Sequence, residues 1–577
     1  MQDYQDHEGN VDETRVPNNL VPFNLADFYK TGHPSMYPAE TTKLVANFTP
    51  RSAKYAPVLK EFFDNKVVWF GLQGWIKEYL IRLFSDEFFA AGSKARAVQK
   101  YKRRMDTSLG KGVVTGKNLE DLYDLGYLPL EIRALAEGTR VDIKVPPILF
   151  ISTHPDFVWL ATYFETLFSC ENWKPSTVAT IAFEFRKLLT YFAKMTASPE
   201  EFVDFQGHDF SMRGMSGVHD AMRCGAGHLL SFAGTDTIPA IDYLEDFYNA
   251  DAETELIGAS VPATEHSVMT LRILLKLAQL GEPGEYAHAD AVALRRREAE
   301  KEVIRELITV DYPTGIISIV ADSFDYWNTI TVAARELKDE ILARATNELG
   351  QAKVVFRPDS GDPVKILTGY FDDEVVCWAS TGKPCLMGGK YRVKATGEMI
   401  TEAELKGSVE CLWDIFGGTE TSIGYRVLDS HVGLIYGDGI TLKRAVQIMQ
   451  RLMRRGFASC NVVLGIGSYT YNMLSRDTFG WAMKAIYAEV GDVQVAIYKD
   501  PATDDGTKKS AKGLLRVEKE GGRYVLHEEQ TLEQFEGGEL KPIYRNGTLL
   551  NQASVAEMRA RLRASWICPE PGTVVFE

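Results

Sequence analysis

Short, unbroken apolar runs that stop at charged residues and glycine recur through the second half of this chain. Val354, Val355 and Phe356 end at Arg357-Pro358-Asp359-Ser360-Gly361. Residues 316–321 lead into Asp322-Ser323-Phe324-Asp325, residues 432–436 into Gly437-Asp438-Gly439, and residues 461–465 into Ile466-Gly467-Ser468. Runs of this kind predict strands buried on both faces. Helical stretches lie between them. In the clearest, residues 442–455, Leu442, Val446, Met449 and Met453 share one face, with Thr441 as N-cap and Gly456 at C′. Strand, polar loop, helix, repeated, predicts a parallel α/β fold with ligands at the carboxyl ends of the strands. Any one of these Asp or Gly residues serves equally well as a cap or a turn; four in succession point to a site.

Composition narrows the setting. A chain of 577 residues predicts two or more domains. Apolar content of 45% and charged content of 25% are those of a soluble globular protein. A net charge of −15 argues against a nucleic-acid partner, because phosphate contacts need a basic face. No run approaches the roughly 20 apolar residues of a membrane helix. The polar, acidic start is neither signal nor transit peptide, which predicts a cytoplasmic protein. Seven scattered cysteines fit a reducing compartment, and Cys377 with Cys385 lacks the histidine a zinc site would need.

The polar loops hold the candidate chemistry. His208-Asp209-Phe210-Ser211-Met212-Arg213-Gly214 sets an aromatic ring three residues before an arginine. Gly234-Thr235-Asp236-Thr237 follows the apolar Leu229, Leu230 and Phe232. Ser260-Val261-Pro262-Ala263-Thr264-Glu265-His266-Ser267 closes another run. A lone histidine is usually structural, but His266 stands in the same strand-end series as Asp322 and Arg357. Residues 205–265 are dense in Gly, His, Asp and Ser, as functional loops are. The phosphate-binding sequence GxxxxGK[ST] is absent.

In order, HDF-x-x-RG, GTD, SVPA-x-EHS, DS-[FY]-D, RPDSG-[DN]-P, GDG and the early Asp27-Phe28-Tyr29-Lys30-x-x-His33 resemble the nicotinamide phosphoribosyltransferase family, over roughly residues 25–513. The resemblance implies an α/β fold: an irregular β/α barrel with a second, mostly β domain built from both chain ends. On this chain that gives a disordered 1–20, a smaller domain from 21–150 and 490–577, and a barrel over 151–489 with a Gly-rich insertion at 365–431. It implies a homodimer with shared sites, converting nicotinamide and phosphoribosyl pyrophosphate to nicotinamide mononucleotide and pyrophosphate. Mg²⁺ and ATP hydrolysis through a phosphohistidine accompany that reaction. Nicotinate phosphoribosyltransferase, or a binding protein that keeps the fold, is the alternative.

By the same resemblance His266 is the phosphorylated residue, oriented by Asp322 or, failing that, Glu265. Phe210 and Tyr29 stack on the pyridine ring, and Asp236 with Ser260 reads its substituent. Arg213 and Arg357 contact phosphates, and Asp359 the ribose hydroxyls or the metal. Gly437, Asp438, Gly467 and Ser468 cradle the 5′-phosphate, while Arg476, Lys484, Lys499 and Lys508 add positive charge. Ser468 departs from the family's run of glycines at that turn.

Overall fold

The computed structural model describes residues 20–281, 289–378, 380–499 and 510–576. The expected disorder of the N-terminus and the role of Lys508 fall outside these residues. The larger part is built on six parallel strands. Their spatial order is Gly234–Thr235, Gly207–Asp209, Val462–Ile466, Val432–Tyr436, Ala352–Arg357 and Gly315–Val320. An irregular segment, residues 259–264, joins the two outer strands and closes the ring. Thr235 N–H donates to Ala259 C=O at 2.9 Å, and Thr264 N–H donates to Ser318 C=O at 2.9 Å. Pro262 in that segment has no N–H to give, so the pairing is isolated bridges rather than a ladder.

Burial corrects one expectation from the sequence. The run at 352–357 is not sealed on both faces but alternates. Val354 and Phe356 are fully buried in the outer core, while Lys353, Val355 and Arg357 are half-buried on the other face. A Cβ placed on Gly433 would meet the side chains of Lys353 and Val355, at 3.2 and 3.6 Å, so these residues share the inner face. Closing a sheet into a ring gives each strand a helix-packed side and an inner side. The Leu442–Arg454 helix forms as its caps predict: Thr441 Oγ1 accepts from Arg444 N–H, and Gly456 adopts φ +77°. It buries Leu442, Ala445, Val446, Ile448, Met449 and Leu452, each worth about 1–3 kcal/mol, and leaves Met453 only half-covered.

The second part is a seven-stranded antiparallel sheet drawn from both chain ends. Strand Thr41–Thr49 pairs with Ile148–Ser152 on one side and with Ala482–Val490 on the other. The sheet therefore takes up the chain from residue 482, ahead of the expected boundary at 490. The C-terminal residues also leave it. Val555, Met558 and Leu562 of the last helix pack with Ala226, Tyr243 and Leu244 of the barrel's helices and with Val68 and Phe70. Phe576 stacks on Phe192 of the long Glu165–Thr196 helix at 5.6 Å. Within the expected insertion, Tyr391–Arg392 pairs with Met399–Ile400, but Val409 and Leu412 of the Ser408–Phe416 helix belong to the barrel core. Among the described residues no helix is long and apolar enough to cross a membrane.

Gly138 shows how tightly the last helix is held. Its φ is +80°, and a Cβ there would lie 2.7 Å from the Met558 carbonyl oxygen. Gly138→Ala is expected to lower the unfolding free energy by about 2 kcal/mol, from backbone strain plus displacement of that helix. Urea unfolding checks this, and a loss within error of zero would contradict the packing described.

Candidate active site

The carboxyl ends of the barrel strands bring His266, Asp322 and the Arg357–Ser360 turn together. His266 begins the His266–Leu280 helix, and its Nε2 lies 3.0 Å from Asp322 Oδ1. The other oxygen, Asp322 Oδ2, accepts from Ser360 Oγ–H at 2.6 Å and from Asp359 N–H at 3.2 Å. Asp322 is thus fixed from the next strand's loop and can itself fix the imidazole, whose side chain stays 48% exposed. Glu265 accepts from Ser267 Oγ–H and makes no bond to His266. Of these two carboxylates, Asp322 is the one within hydrogen-bond distance of the imidazole.

A second carboxylate stands across the mouth. Asp236 Oδ1 accepts from Ser260 Oγ–H at 2.6 Å and pairs with His208 Nε2 at 2.8 Å. Burial works to raise its pKa, but His208, Ser260 and the charge of Arg357 outweigh that and hold it below the usual carboxylate value. Arg357 donates from Nη2 to the Thr264 carbonyl at 2.6 Å, and its buried Nε has no partner. Asp359 shifts the other way. Burial raises its pKa; Arg357 and His266 oppose this, while Asp322 and Asp438 add to it.

Glycines shape the space around Phe210. A Cβ on Gly465 would lie 2.5 Å from Phe210 Cδ2, and one on Gly437 would lie 3.1 Å from Phe210 Cε2 and 3.2 Å from Asp359 Oδ1. Phe210 N–H donates to the Ile466 carbonyl at 3.0 Å, which locks the ring's backbone into the barrel. Gly467 faces open space, and Asp438 is exposed beside Gly437. Ser468 fits because of Gly214, where a Cβ would stand 2.1 Å from the serine Oγ. Arg213, one residue earlier, is exposed.

Tyr29, Arg476 and Lys484 form a separate group. Tyr29 is 60% exposed, and burial followed by the charges of Glu165 and Asp27 raises its hydroxyl pKa against the pull of Arg476. Lys484 is depressed by burial, then raised by Glu165 and lowered again by Arg51, Lys499 and Lys30. It lines a cavity of about 210 Å³ with Arg51, Lys144 and Ser510. Among the described residues no hydrogen bond or ion pair links Tyr29, Arg476 or Lys484 to His266, Arg357 or Asp359.

No group of three or more His, Cys, Asp or Glu among the described residues could hold a metal by itself. The residues fit a divalent ion only together with ligand oxygens, at Asp359 and Asp438, whose mutual repulsion a cation would relieve. His208, Thr264 and Ser360 stand inside the sequence motifs, and only the fold shows what they hold: Asp236, the Val320 and Arg357 donors, and Asp322. Gly465 is a further contributor, legible only once Phe210 is seen against it.

A closed parallel barrel with an arginine, carboxylates and a histidine at the carboxyl ends of its strands is the architecture of a β/α-barrel enzyme. Residues 205–560 match the nicotinate phosphoribosyltransferase (NAPRTase) family, and the chain belongs to it. A curated relative, nicotinamide phosphoribosyltransferase of Acinetobacter baylyi, is 48% identical over 543 residues, covering 94% of this chain and 97% of the relative. The nicotinamide phosphoribosyltransferase of Mycoplasma pneumoniae is 29% identical over 516 residues, 87% of this chain and 96% of the relative. The crystal structure of nicotinate-nucleotide pyrophosphorylase from Pyrococcus furiosus shares the fold with a TM-score of 0.50 at 14% identity, covering 96% of this chain and 97% of that one.

Proposed function

We propose that this chain transfers the phosphoribosyl group of phosphoribosyl pyrophosphate to nicotinamide, releasing pyrophosphate, as a step of NAD salvage. The relatives just described support the reaction. The observation that carries the choice of base is Asp236: an ionised carboxylate at the mouth with both hydrogen-bonded neighbours on Oδ1, leaving Oδ2 for the carboxamide NH₂.

The pyridine nitrogen attacks the anomeric carbon as the bond to pyrophosphate breaks, through an oxocarbenium-like transition state. Phe210, held by Gly437 and Gly465, offers an aromatic face to a ring that becomes cationic, worth about 0.5–2 kcal/mol. Arg357 and Arg213 bind phosphates, Asp359 the ribose hydroxyls, and the Gly437-Asp438 and Gly467-Ser468 turns the 5′-phosphate. Magnesium, when bound, offsets charge on the leaving pyrophosphate; Asp359 and Asp438 would share in holding it.

Coupling to ATP rests on His266. Asp322 occupies Nε2, so the uncommitted ring nitrogen attacks the γ-phosphorus of ATP, a P–N bond replaces the P–O bond, and ADP leaves. The phosphoryl group then adds negative charge near Arg357 and the metal. Tyr29, Arg476 and Lys484 reach this mouth from a second copy of the chain, because their own group is separate from it. The site is completed in a homodimer. The cytoplasm suits such an enzyme.

Incubation with phosphoribosyl pyrophosphate, Mg²⁺ and either base, read by mass spectrometry, tests the reaction. Nicotinate sets a carboxylate against Asp236; at about 4 Å and an effective dielectric near 20 this costs on the order of 4 kcal/mol, roughly a thousandfold. Equal turnover of both bases would refute the role of Asp236. Mixed Tyr29→Ala and Arg357→Ala subunits, each inactive alone, are expected to regain part of the activity; none despite proven exchange would rule out the shared site. His266→Ala is expected to abolish ATP hydrolysis while retaining slower nucleotide synthesis. ATP hydrolysis by the folded variant would exclude His266 as the phosphorylated residue.

A further inference from the structure

The reaction above leaves a buried ammonium unused. Lys174, on the Glu165–Thr196 helix, is 6% exposed, and its Nζ donates to Asp220 Oδ2 at 2.5 Å and to Asn472 Oδ1 at 2.6 Å. The two acceptors belong to different elements. Asp220 stands in the first turn of the Val218–Leu229 helix, just after the loop that carries Arg213. Asn472 closes the short Ser468–Tyr471 helix, and its backbone N–H donates to the Ser468 carbonyl at 2.7 Å. A charge leaves water only where such partners replace it, and here the partners are the ends of the two phosphate-side loops.

The loop with Arg213 and Gly214, residues 212–217, is mostly exposed. Its local bonds are few: Gly214 N–H donates to Ser211 at 3.0 Å and Met215 N–H to Met212 at 3.2 Å. Among the described residues, the hydrogen bonds it makes to side chains beyond itself all end on Asn472 or Asp220. Asn472 Nδ2–H donates to the Gly214 carbonyl at 2.8 Å, Ser216 Oγ–H to Asn472 Oδ1 at 3.1 Å, and Ser216 N–H to Asp220 Oδ2 at 2.9 Å. Lys174 decides which way the Asn472 amide points. With Oδ1 on the ammonium, the NH₂ faces Gly214; turned over, the NH₂ would meet the ammonium and Oδ1 would meet a carbonyl. The Ser216 hydroxyl enforces neither orientation, since it both donates and accepts.

We propose that Lys174 is a positioning residue for the phosphate side of the mouth: by holding Asp220 and Asn472 together it sets the Arg213 loop against the Ser468 turn. It touches no substrate. Gly214, held by Asn472 through its carbonyl, is also the residue whose missing side chain makes room for Ser468 Oγ. The turn itself has other anchors. Thr470 Oγ1–H donates to the Ile440 carbonyl at 2.6 Å, and the Tyr471 hydroxyl pairs with His228 Nδ1 at 2.7 Å. Loss of Lys174 therefore frees the Arg213 loop and leaves the turn in place. The consequence for catalysis rests on the reading of Arg213 and Ser468 as phosphate contacts given above.

The test compares the full-length protein with Lys174→Met, which keeps the stem and loses the charge, and Asn472→Asp, which keeps an acceptor for Lys174 and loses the donor to Gly214. In both, KM for phosphoribosyl pyrophosphate is expected to rise roughly tenfold while KM for nicotinamide stays within about twofold. Hydrogen exchange at Gly214, Met215 and Ser216 is expected to lose roughly tenfold protection, with the amides of Thr470, Tyr471 and Asn472 unchanged. A lysine that only stabilises the fold would lower the melting temperature and the active fraction without separating the two KM values. Unchanged exchange at 214–216 in Asn472→Asp, or equal rises of both KM values, overturns the proposal even if Lys174→Met fails to fold. Arg213→Ala tests the underlying reading separately. Should it leave KM for phosphoribosyl pyrophosphate unchanged while the loop still loosens without Lys174, the phosphate role of Arg213 fails and the brace stands.

Discussion

Thr264 is the joint on which the barrel and its chemistry both depend. Its N–H donates to Ser318 at 2.9 Å, its Oγ1 accepts from Val320 N–H at 2.9 Å, and its carbonyl accepts from Arg357 at 2.6 Å. Three groups of one residue thus close the ring, dock the neighbouring strand and aim the guanidinium. Two residues later the chain turns into the helix that carries His266. Without that closure the two outer strands would be open edges, and Asp236 and Asp322 would have no fixed separation. A broken, proline-containing segment is tolerated here because side chains add to its isolated bonds: Thr264 Oγ1 accepts from Val320 N–H at one end and Ser260 Oγ–H donates to Asp236 at the other.

Charge at the mouth is balanced in two compartments. Asp236 has His208, Ser260 and Arg357 and is held ionised; Asp359 shares Arg357 but also faces Asp322 and Asp438, and is held toward its neutral form. One cation therefore serves two carboxylates with opposite outcomes. The imbalance on the Asp359 side is the kind that a ligand's cation removes, whereas the Asp236 side is complete in itself.

The barrel was legible because its strand ends break packing rules: an arginine or aspartate directly after a β-branched run has no reason in a core. The caps at Thr441 and Gly456 were legible for the same local reason. What the sequence hid was long-range. Ala482–Val490 carries no mark that it pairs with Thr41–Thr49, more than four hundred residues away, rather than with the barrel. The alternation along Ala352–Arg357 was hidden because Val355 is as apolar as its outward neighbours.

Ser468 shows how a local exception is absorbed. A side chain at that turn would crowd a phosphate if it stood in the mouth, yet its Oγ occupies the space that a Cβ on Gly214 would fill. The missing side chain of one residue houses the extra side chain of the other, and Arg213 sits between that contact and Met212 on the same turn. Gly467 beside it stays open, with nothing within 4 Å of where a Cβ would stand. Substituting Gly214 would push the serine back toward the mouth, so the two positions form one unit. The shape of this turn is set by a pair of residues more than two hundred and fifty positions apart, not by the turn alone.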